Sequence, residues 1–142
     1  TSPTKLRWWS LNQTGRRMLA SKPWTEVSEL SLAHLPGALG VFELRDRAGV
    51  VCAVGYAGGK ARYGLRSALQ EAVEAVERNG LEAAAFRYEV NQMYLTRFIE
   101  VLEKYIATTG DIPAANKAGA FPIPRVIQHK RDRTFQTPGG QH

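Results

Sequence analysis

The sequence has one cysteine, three histidines and no long apolar run, and each of these shortages excludes a class of protein. Cys52 alone cannot form an internal disulfide framework, and the scattered His34, His129 and His142 do not predict a metal cluster. No apolar run approaches the about 18 residues that a membrane-spanning helix needs, and the N-terminus lacks the order of a signal peptide. We therefore expect an intracellular protein, in the cytoplasm or in an assembled particle, without a membrane partner.

Composition and charge describe a soluble domain with basic ends. A chain of 142 residues, 44% hydrophobic and 23% charged, is long enough for one domain with a core. The middle of the chain is neutral, because residues 36–117 contain ten basic and ten acidic residues. Residues 1–35 contain five basic and two acidic residues, and residues 118–142 contain four and one, which accounts for the net charge of +6. This division indicates attachment to an acidic partner, most often nucleic acid.

The chain is organised around a predicted β-hairpin in residues 35–55. Two short apolar runs, 38–44 and 50–55, are joined by a polar turn that ends in Gly49. The second run is apolar without alternation, so we expect a strand that is covered on both faces and lies in the centre of the sheet, with Cys52 as a small core residue. A glycine-rich exit, residues 55–59, follows it.

Two amphipathic helices and a third strand follow the hairpin. Apolar residues recur at helical spacing in 63–78 and again in 92–108, and they alternate with polar residues in 83–90. Gly110 ends the second helix. The prediction is an α/β (α+β) domain in the order ββαβα, with a three-stranded antiparallel sheet flanked by helices. The residues expected to be buried together are Phe42, Val54, Leu69, Val73, Phe98, Leu102 and Tyr105.

Basic segments flank the predicted domain, which covers residues 35–117. Residues 1–34 form a basic, tryptophan-containing N-terminal arm, and residues 118–142 form an extended, basic C-terminal arm. Aromatic residues beside arginines can stack on bases while the cations meet phosphates. We favour the alternative, in which the tryptophans close over the core or dock into a partner protein, because they are too apolar to be left in water. The candidate binding residues are Lys5, Arg7, Trp8, Trp9, Arg16, Arg17, Arg125, Lys130, Arg131 and Arg133.

Residues 35–117 resemble the GIY-YIG nuclease superfamily. Gly-Val-Phe at 40–42 and Ala-Val-Gly at 53–55 stand where that family has its two paired motifs, with ten residues between them. Glu103 followed by Pro-Ala-Ala-Asn at 113–116 resembles its later glutamate and Pro-x-x-Asn signature. The predicted order of helices and strands also agrees with the family. The resemblance implies a GIY-YIG-like fold and raises the possibility of metal-dependent nuclease chemistry.

The resemblance also implies that the catalytic tyrosines are lost. Family nucleases use a tyrosine of the first motif to help activate water and a second tyrosine close by, and a metal neutralises charge at the phosphate. Phe42 and Ala53 occupy these two positions and have no hydroxyl. Tyr56 or Tyr63 could supply one only in a rearranged site.

The remaining family positions are altered or ambiguous. The family arginine on the first helix is displaced, since Arg66 lies two positions before the expected place; Arg62 is a further candidate. Glu103 is the best match to the metal-binding glutamate, with Glu100 as second choice, although a glutamate on a helix surface is usually only a solvated charge. Asn116 is expected to close a turn with its own backbone and so to support the fold.

Three functions follow from these observations. The leading hypothesis is a catalytically degenerate GIY-YIG-like module without a cofactor, which uses its basic arms to hold nucleic acid or an acidic protein surface. Such a module would be a structural component of a larger nucleoprotein or phage-particle assembly, with other protein chains contacting the arms. The second is an endonuclease that depends on Mg²⁺ or Mn²⁺ and has a remodelled site. The third is a protein–protein interaction module.

Overall fold

The computed structural model describes residues 19–135, apart from the side chains of 134 and 135. A 3₁₀ turn at Leu19–Ser21 comes first. The strands are β1 (Thr25–Glu26), β2 (Gly40–Arg45), β3 (Val51–Ala57) and β4 (Ala85–Val90). The helices are α1 (Glu29–Ala33), α2 (Leu65–Arg78), α3 (Tyr94–Thr109), α4 (Ala114–Lys117) and α5 (Arg125–Phe135). The expected class, a mixed α+β domain, is confirmed.

The strands form one antiparallel sheet in the order β1-β4-β2-β3. Three strands were expected, but the sheet has four. The additional strand is β1, which pairs with β4 at the edge of the sheet, with Thr25 opposite Phe86. Two residues are too few to show a period of two in the sequence, so this strand was not predicted. The helix α1 after it is capped by Ser28: the side chains of Ser28 and Ser31 each accept the other residue's backbone N–H in a capping box.

Strand β3 lies at the edge of the sheet, so its expected central place is wrong; β2 and β4 are the inner strands. The apolar character of β3 has another cause than a central place in the sheet. Helix α2 packs on one face of β3, α3 on the other, and α4 along its open edge. A strand covered in this way has no solvent-facing side to mark with polar residues, although it has only one neighbouring strand.

The amide of Asn116 takes the place of the missing neighbour. Its Oδ1 accepts the backbone N–H of Val54 at 2.8 Å, and its Nδ2 donates to the Val54 carbonyl at 2.8 Å. Asn116 is fully buried, and the expectation that it bonds its own turn is wrong. Both backbone groups of Val54 would otherwise be buried without a partner.

The sheet separates two apolar clusters rather than enclosing one. Because strand residues alternate between faces, Phe42 packs with Leu69 and Val73 of α2, whereas Val54 packs with Phe98 and Leu102 of α3. The expectation that these residues are buried together in one cluster is therefore wrong. Tyr105 is only partly buried, at the margin of the α3 cluster.

Both flanking segments contribute to the fold within residues 19–135. Leu19 and Leu32, assigned to the N-terminal arm by sequence, are buried. The extended C-terminal arm is also corrected, because residues 125–135 form α5, which packs on α3 with Ile127 fully buried. The helix begins after Pro124, whose carbonyl accepts the N–H groups of Ile127 and Gln128. A proline before the first turn fits such a start, since it lacks an N–H and cannot extend the helix backwards.

Candidate binding cleft and family positions

A cleft of about 560 Å³ opens beside the glycine-rich exit of β3. It lies between α2, the first turn of α3 and the loop 120–122, and the ring of Tyr56 stacks on that of Tyr94 with 5.5 Å between centroids. Small side chains along α2 leave the space open. These α2 residues are Ala68, Ala72 and Ala75.

Phe42 and Ala53, at the two family tyrosine positions, are core residues. Both belong to the α2 cluster, and Ala53 is completely inaccessible. Phe42 also lines the cleft, where its ring fills the space beside Gly55: a Cβ at that glycine would overlap the ring. These positions supply packing, with no group that could activate water.

The arginine candidates do not extend into the cleft. Arg66 is held in place, since its Nε donates to the Leu35 carbonyl at 3.0 Å and so joins the start of α2 to the segment between α1 and β2. Arg62 lies over the ring of Tyr63, 5.4 Å from its centroid, and Tyr63 is outside the cleft lining. Of the two substitute tyrosines, only Tyr56 lines the cleft.

Glu103 lies on the other side of the sheet, in a shallow groove between α3 and α5. Its Oε2 is 3.5 Å from Nζ of Lys130, and the groove is shared with Ile106 and Arg133. The second choice, Glu100, pairs with Arg97 at 3.1 Å. Residues 19–135 contain no group of three or more His, Cys, Asp or Glu suited to a metal ion. The family positions therefore do not converge on one site.

A buried ionic cluster on the α3 face was missed by sequence reasoning. Glu43 of β2 accepts hydrogen bonds from Arg87 of β4 and from the hydroxyl of Tyr105. Burial raises the pKa of the Tyr105 hydroxyl, and the adjacent Glu43 charge raises it further. The signal available in the sequence was a glutamate inside an otherwise apolar strand. A buried carboxylate requires a cation or hydroxyl partner on the neighbouring elements.

A second buried carboxylate, Glu89, binds the start of the described chain. Its Oε2 is 2.9 Å from Nε of Arg97, and its Oε1 accepts the backbone N–H of Leu19 at 2.8 Å. Burial opposes the charge of Arg97, but the hydrogen bond and charge of Glu89 outweigh it, so the pKa of the guanidinium is raised. The arrangement fixes the 3₁₀ turn on the sheet.

Trp24 contacts two arginines of neighbouring strands, Arg45 of β2 and Arg87 of β4. The guanidinium carbons of Arg45 and Arg87 lie 4.6 Å and 4.4 Å from its ring centroid. Arg87 also donates to the Ala20 carbonyl. Trp24 and the adjoining turn therefore form part of the domain, which agrees with the packing interpretation of this tryptophan.

The four C-terminal candidates divide into two pairs on α5. Arg131 donates from Nε to Asp111 at 2.7 Å, and Lys130 pairs with Glu103, so both hold the helix on the domain. Burial tends to raise the pKa of Asp111, but hydrogen bonds from Arg131 and Ile112, together with nearby positive charge, outweigh it and lower the pKa. Arg125 and Arg133 are exposed and form no ion pair with any residue of the described part.

The remaining binding candidates lie outside the described residues. They are Lys5, Arg7, Trp8, Trp9, Arg16 and Arg17.

Comparison with known families agrees with the inclusion of the N-terminal segment. Residues 18–105 match the family model of a domain of unknown function, DUF7508, over more than half of the chain. The chain belongs to the DUF7508 family. The DUF7508 match begins one residue before Leu19 and ends within α3, so it contains the whole sheet and both ionic clusters. Helices α4 and α5 lie beyond it. No curated protein matches the chain. Among the helices of residues 19–135, none has the length and apolarity that crossing a membrane would require.

Proposed function

We propose that the chain is a noncatalytic, GIY-YIG-like module that binds nucleic acid through its basic ends, as a component of a larger nucleoprotein assembly. The order of β2, β3, α2, β4 and α3 is the ββαβα order of the resemblance. Loss of catalysis is supported by the burial of Phe42 and Ala53 and by the ion pair between Glu103 and Lys130.

The observation that supports nucleic-acid binding is that one side of α5 packs on the domain while the other side exposes basic residues. Arg125, His129 and Arg133 recur at four-residue spacing, which puts them on one side of a helix, and all three are exposed. The opposite side holds Ile127 and Arg131 against the domain. A helix that is docked on one side presents the two fixed charges of Arg125 and Arg133 on the other side to a polyanion.

The test is the salt dependence of nucleic-acid binding by the full chain. Replacing both Arg125 and Arg133 by Gln should weaken binding to single- and double-stranded DNA and RNA of any sequence. It should also flatten the slope of log affinity against log salt concentration by about 1.5 to 2 units, because two phosphate contacts are lost.

A matched control is Arg47→Gln together with Arg62→Gln, which removes the same charge from exposed arginines of the neutral middle. This control should leave the slope unchanged. An unchanged slope in the α5 double variant would instead show that this helix does not contact phosphate.

The endonuclease alternative is supported by one observation, the position of Tyr56 in the cleft. Supercoiled and branched DNA should remain uncut by the purified chain with Mg²⁺ or Mn²⁺. Cleavage that disappears in Tyr56→Phe or in Glu103→Ala would overturn the noncatalytic proposal.

A further inference from the structure

The open edge of β3 is covered along only part of its length. Asn116 occupies both backbone groups of Val54, whereas the strand continues for three more residues to Ala57. In residues 19–135 no strand lies beyond this edge. The uncovered part borders the cleft beside the glycine-rich exit.

The direction of the Tyr56 backbone groups follows from the pairing. In an antiparallel pair, a residue directs its N–H and C=O alternately toward and away from its neighbour. Val54, opposite Glu43, directs both groups away from β2 and onto Asn116. Tyr56, opposite Val41, is two residues further along and directs its groups to the same open edge. No described residue outside the sheet forms a backbone hydrogen bond with them.

The cleft walls define what could lie against this edge. The alanines of α2 form an apolar wall on one side, and Tyr94 and Leu95 form the other. At the rim, Lys60 and Arg78 are exposed and make no ion pair with any described residue, and Glu71 is the one acidic lining residue. The surroundings favour a narrow, mostly apolar occupant with negative charge at an end.

We propose that an extended peptide segment of a partner protein binds in this cleft and pairs its main chain with Tyr56. Asn116 provides the precedent on the same edge. Its planar side-chain amide bonds both the N–H and the C=O of Val54, two residues before Tyr56, as a peptide group of the partner would bond those of Tyr56. The peptide residue opposite Tyr56 would put its side chain near Tyr94. Its two neighbours would point to the alanine wall and must be small and apolar. This surface is separate from α5, so the proposal does not depend on nucleic-acid binding.

Hydrogen exchange of individual amides tests the geometry in the full chain without any ligand. The Val54 amide should exchange slowly, because its acceptor is buried, and the Tyr56 amide should exchange much faster. Equal protection of the two amides in the free protein would overturn the proposal.

A displayed library of random peptides, selected on the full chain, provides the probe. Enriched peptides should carry small apolar residues with an acidic residue at one end, and they should slow exchange of the Tyr56 amide. Failure to enrich any peptide that slows this exchange would contradict the proposal. Protection of Tyr56 by oligothymidylate rather than by peptide would assign the cleft to nucleic acid instead.

Two substitutions at Tyr56 separate the contribution of its backbone N–H to peptide affinity from that of its ring. Tyr56→Ala removes the ring and keeps the N–H, whereas Tyr56→Pro removes both, and a proline is tolerated at an edge where the N–H points outward. The selected peptide should bind the proline variant about tenfold more weakly than the alanine variant. Tyr63→Ala, outside the cleft, should bind as the parent does. Equal affinities of the two Tyr56 variants would exclude main-chain pairing.

Discussion

Asn116 shows how one side chain can complete a sheet. Its amide is fully buried and bonds both backbone groups of Val54, 62 positions earlier in the chain. One side chain of the short helix α4 thus replaces a neighbouring strand at Val54, whose backbone N–H and C=O would otherwise be cut off from water.

Replacing Asn116 by Ala should lower the free energy of unfolding by about 2–5 kcal/mol, because two buried backbone groups lose their partners. Urea unfolding measures this loss. Asn79→Ala is the matched control, since its side chain caps an exposed helix end with one hydrogen bond. A loss no larger than that of the control would contradict the role given to Asn116.

Cys52 links stability to alkaline pH. Burial, reinforced by the charge of Asp46, raises the pKa of its thiol from 9.0 to about 11. The folded state therefore holds this proton more tightly than the unfolded chain does. The stabilising contribution is complete below pH 9 and is lost as the pH rises toward 11.

Equilibrium unfolding at a series of pH values should show that the parent protein loses more stability over this interval than Cys52→Ala. The other groups that titrate there are common to both proteins. If stability falls with pH in the same way in both proteins, burial does not raise the pKa of the Cys52 thiol.

Residue roles were predictable where they depend on neighbours in the sequence. The burial of Cys52 and Phe42 and the helix end at Gly110 follow from local pattern, and all three are confirmed. The partners of Asn116 and Glu43 could not be predicted, because both bonds join residues more than 40 positions apart. A sequence shows that a buried polar residue needs a partner, without showing which one.

At the scale of elements, helix α3 is held by an apolar stripe against the sheet. Leu102→Ala should lower the free energy of unfolding by about 2–5 kcal/mol, since Leu102 is fully buried. Leu95→Ala in the same helix is the control, because Leu95 is 48% exposed, and it should cost less than about 0.5 kcal/mol. Comparable losses in the two variants, measured by urea unfolding, would mean that the buried face of α3 is wrongly assigned.

Helix α5 provides a second element-scale prediction. Ile127→Ala should cost about 2–4 kcal/mol because it opens a cavity under the helix, whereas Val126→Ala, at a position 44% exposed, should change little. Thermal unfolding of both variants measures the difference. Deletion of residues 125–142 is therefore also expected to destabilise the domain, contrary to what an extended tail would imply.

Elements were predictable in proportion to how much apolar surface they bury. Helices α2 and α3 carry long stripes and were placed to within a few residues. Helix α5 was missed because only Val126 and Ile127 are aliphatic among its first nine residues, and ion pairs supply the rest of its docking. The edge place of β3 could not be inferred either, since its two covered faces resemble those of a central strand.

At the scale of the whole molecule, the altered family positions predict that the chain does not bind a divalent metal ion. Millimolar Mg²⁺ should leave the unfolding temperature of the full chain unchanged, because Glu103 is paired with Lys130 and belongs to no group of three or more candidate metal ligands among residues 19–135. A ligand that binds only the folded state raises stability by mass action. A rise in unfolding temperature that disappears in Glu103→Ala would therefore reveal a metal site.

The place of β1 sets an order of events during synthesis. Thr25 pairs with Phe86, so β1 cannot pair with its neighbour until about sixty further residues have been made. The hairpin of β2 and β3 needs only local closure and can form earlier. Until β4 and α3 have been made, Leu19 lacks both Glu89, which accepts its N–H, and Phe98, against which it packs. Nascent chains stalled before Phe86 should thus expose Leu19 to chaperones, whereas released full-length chains should not.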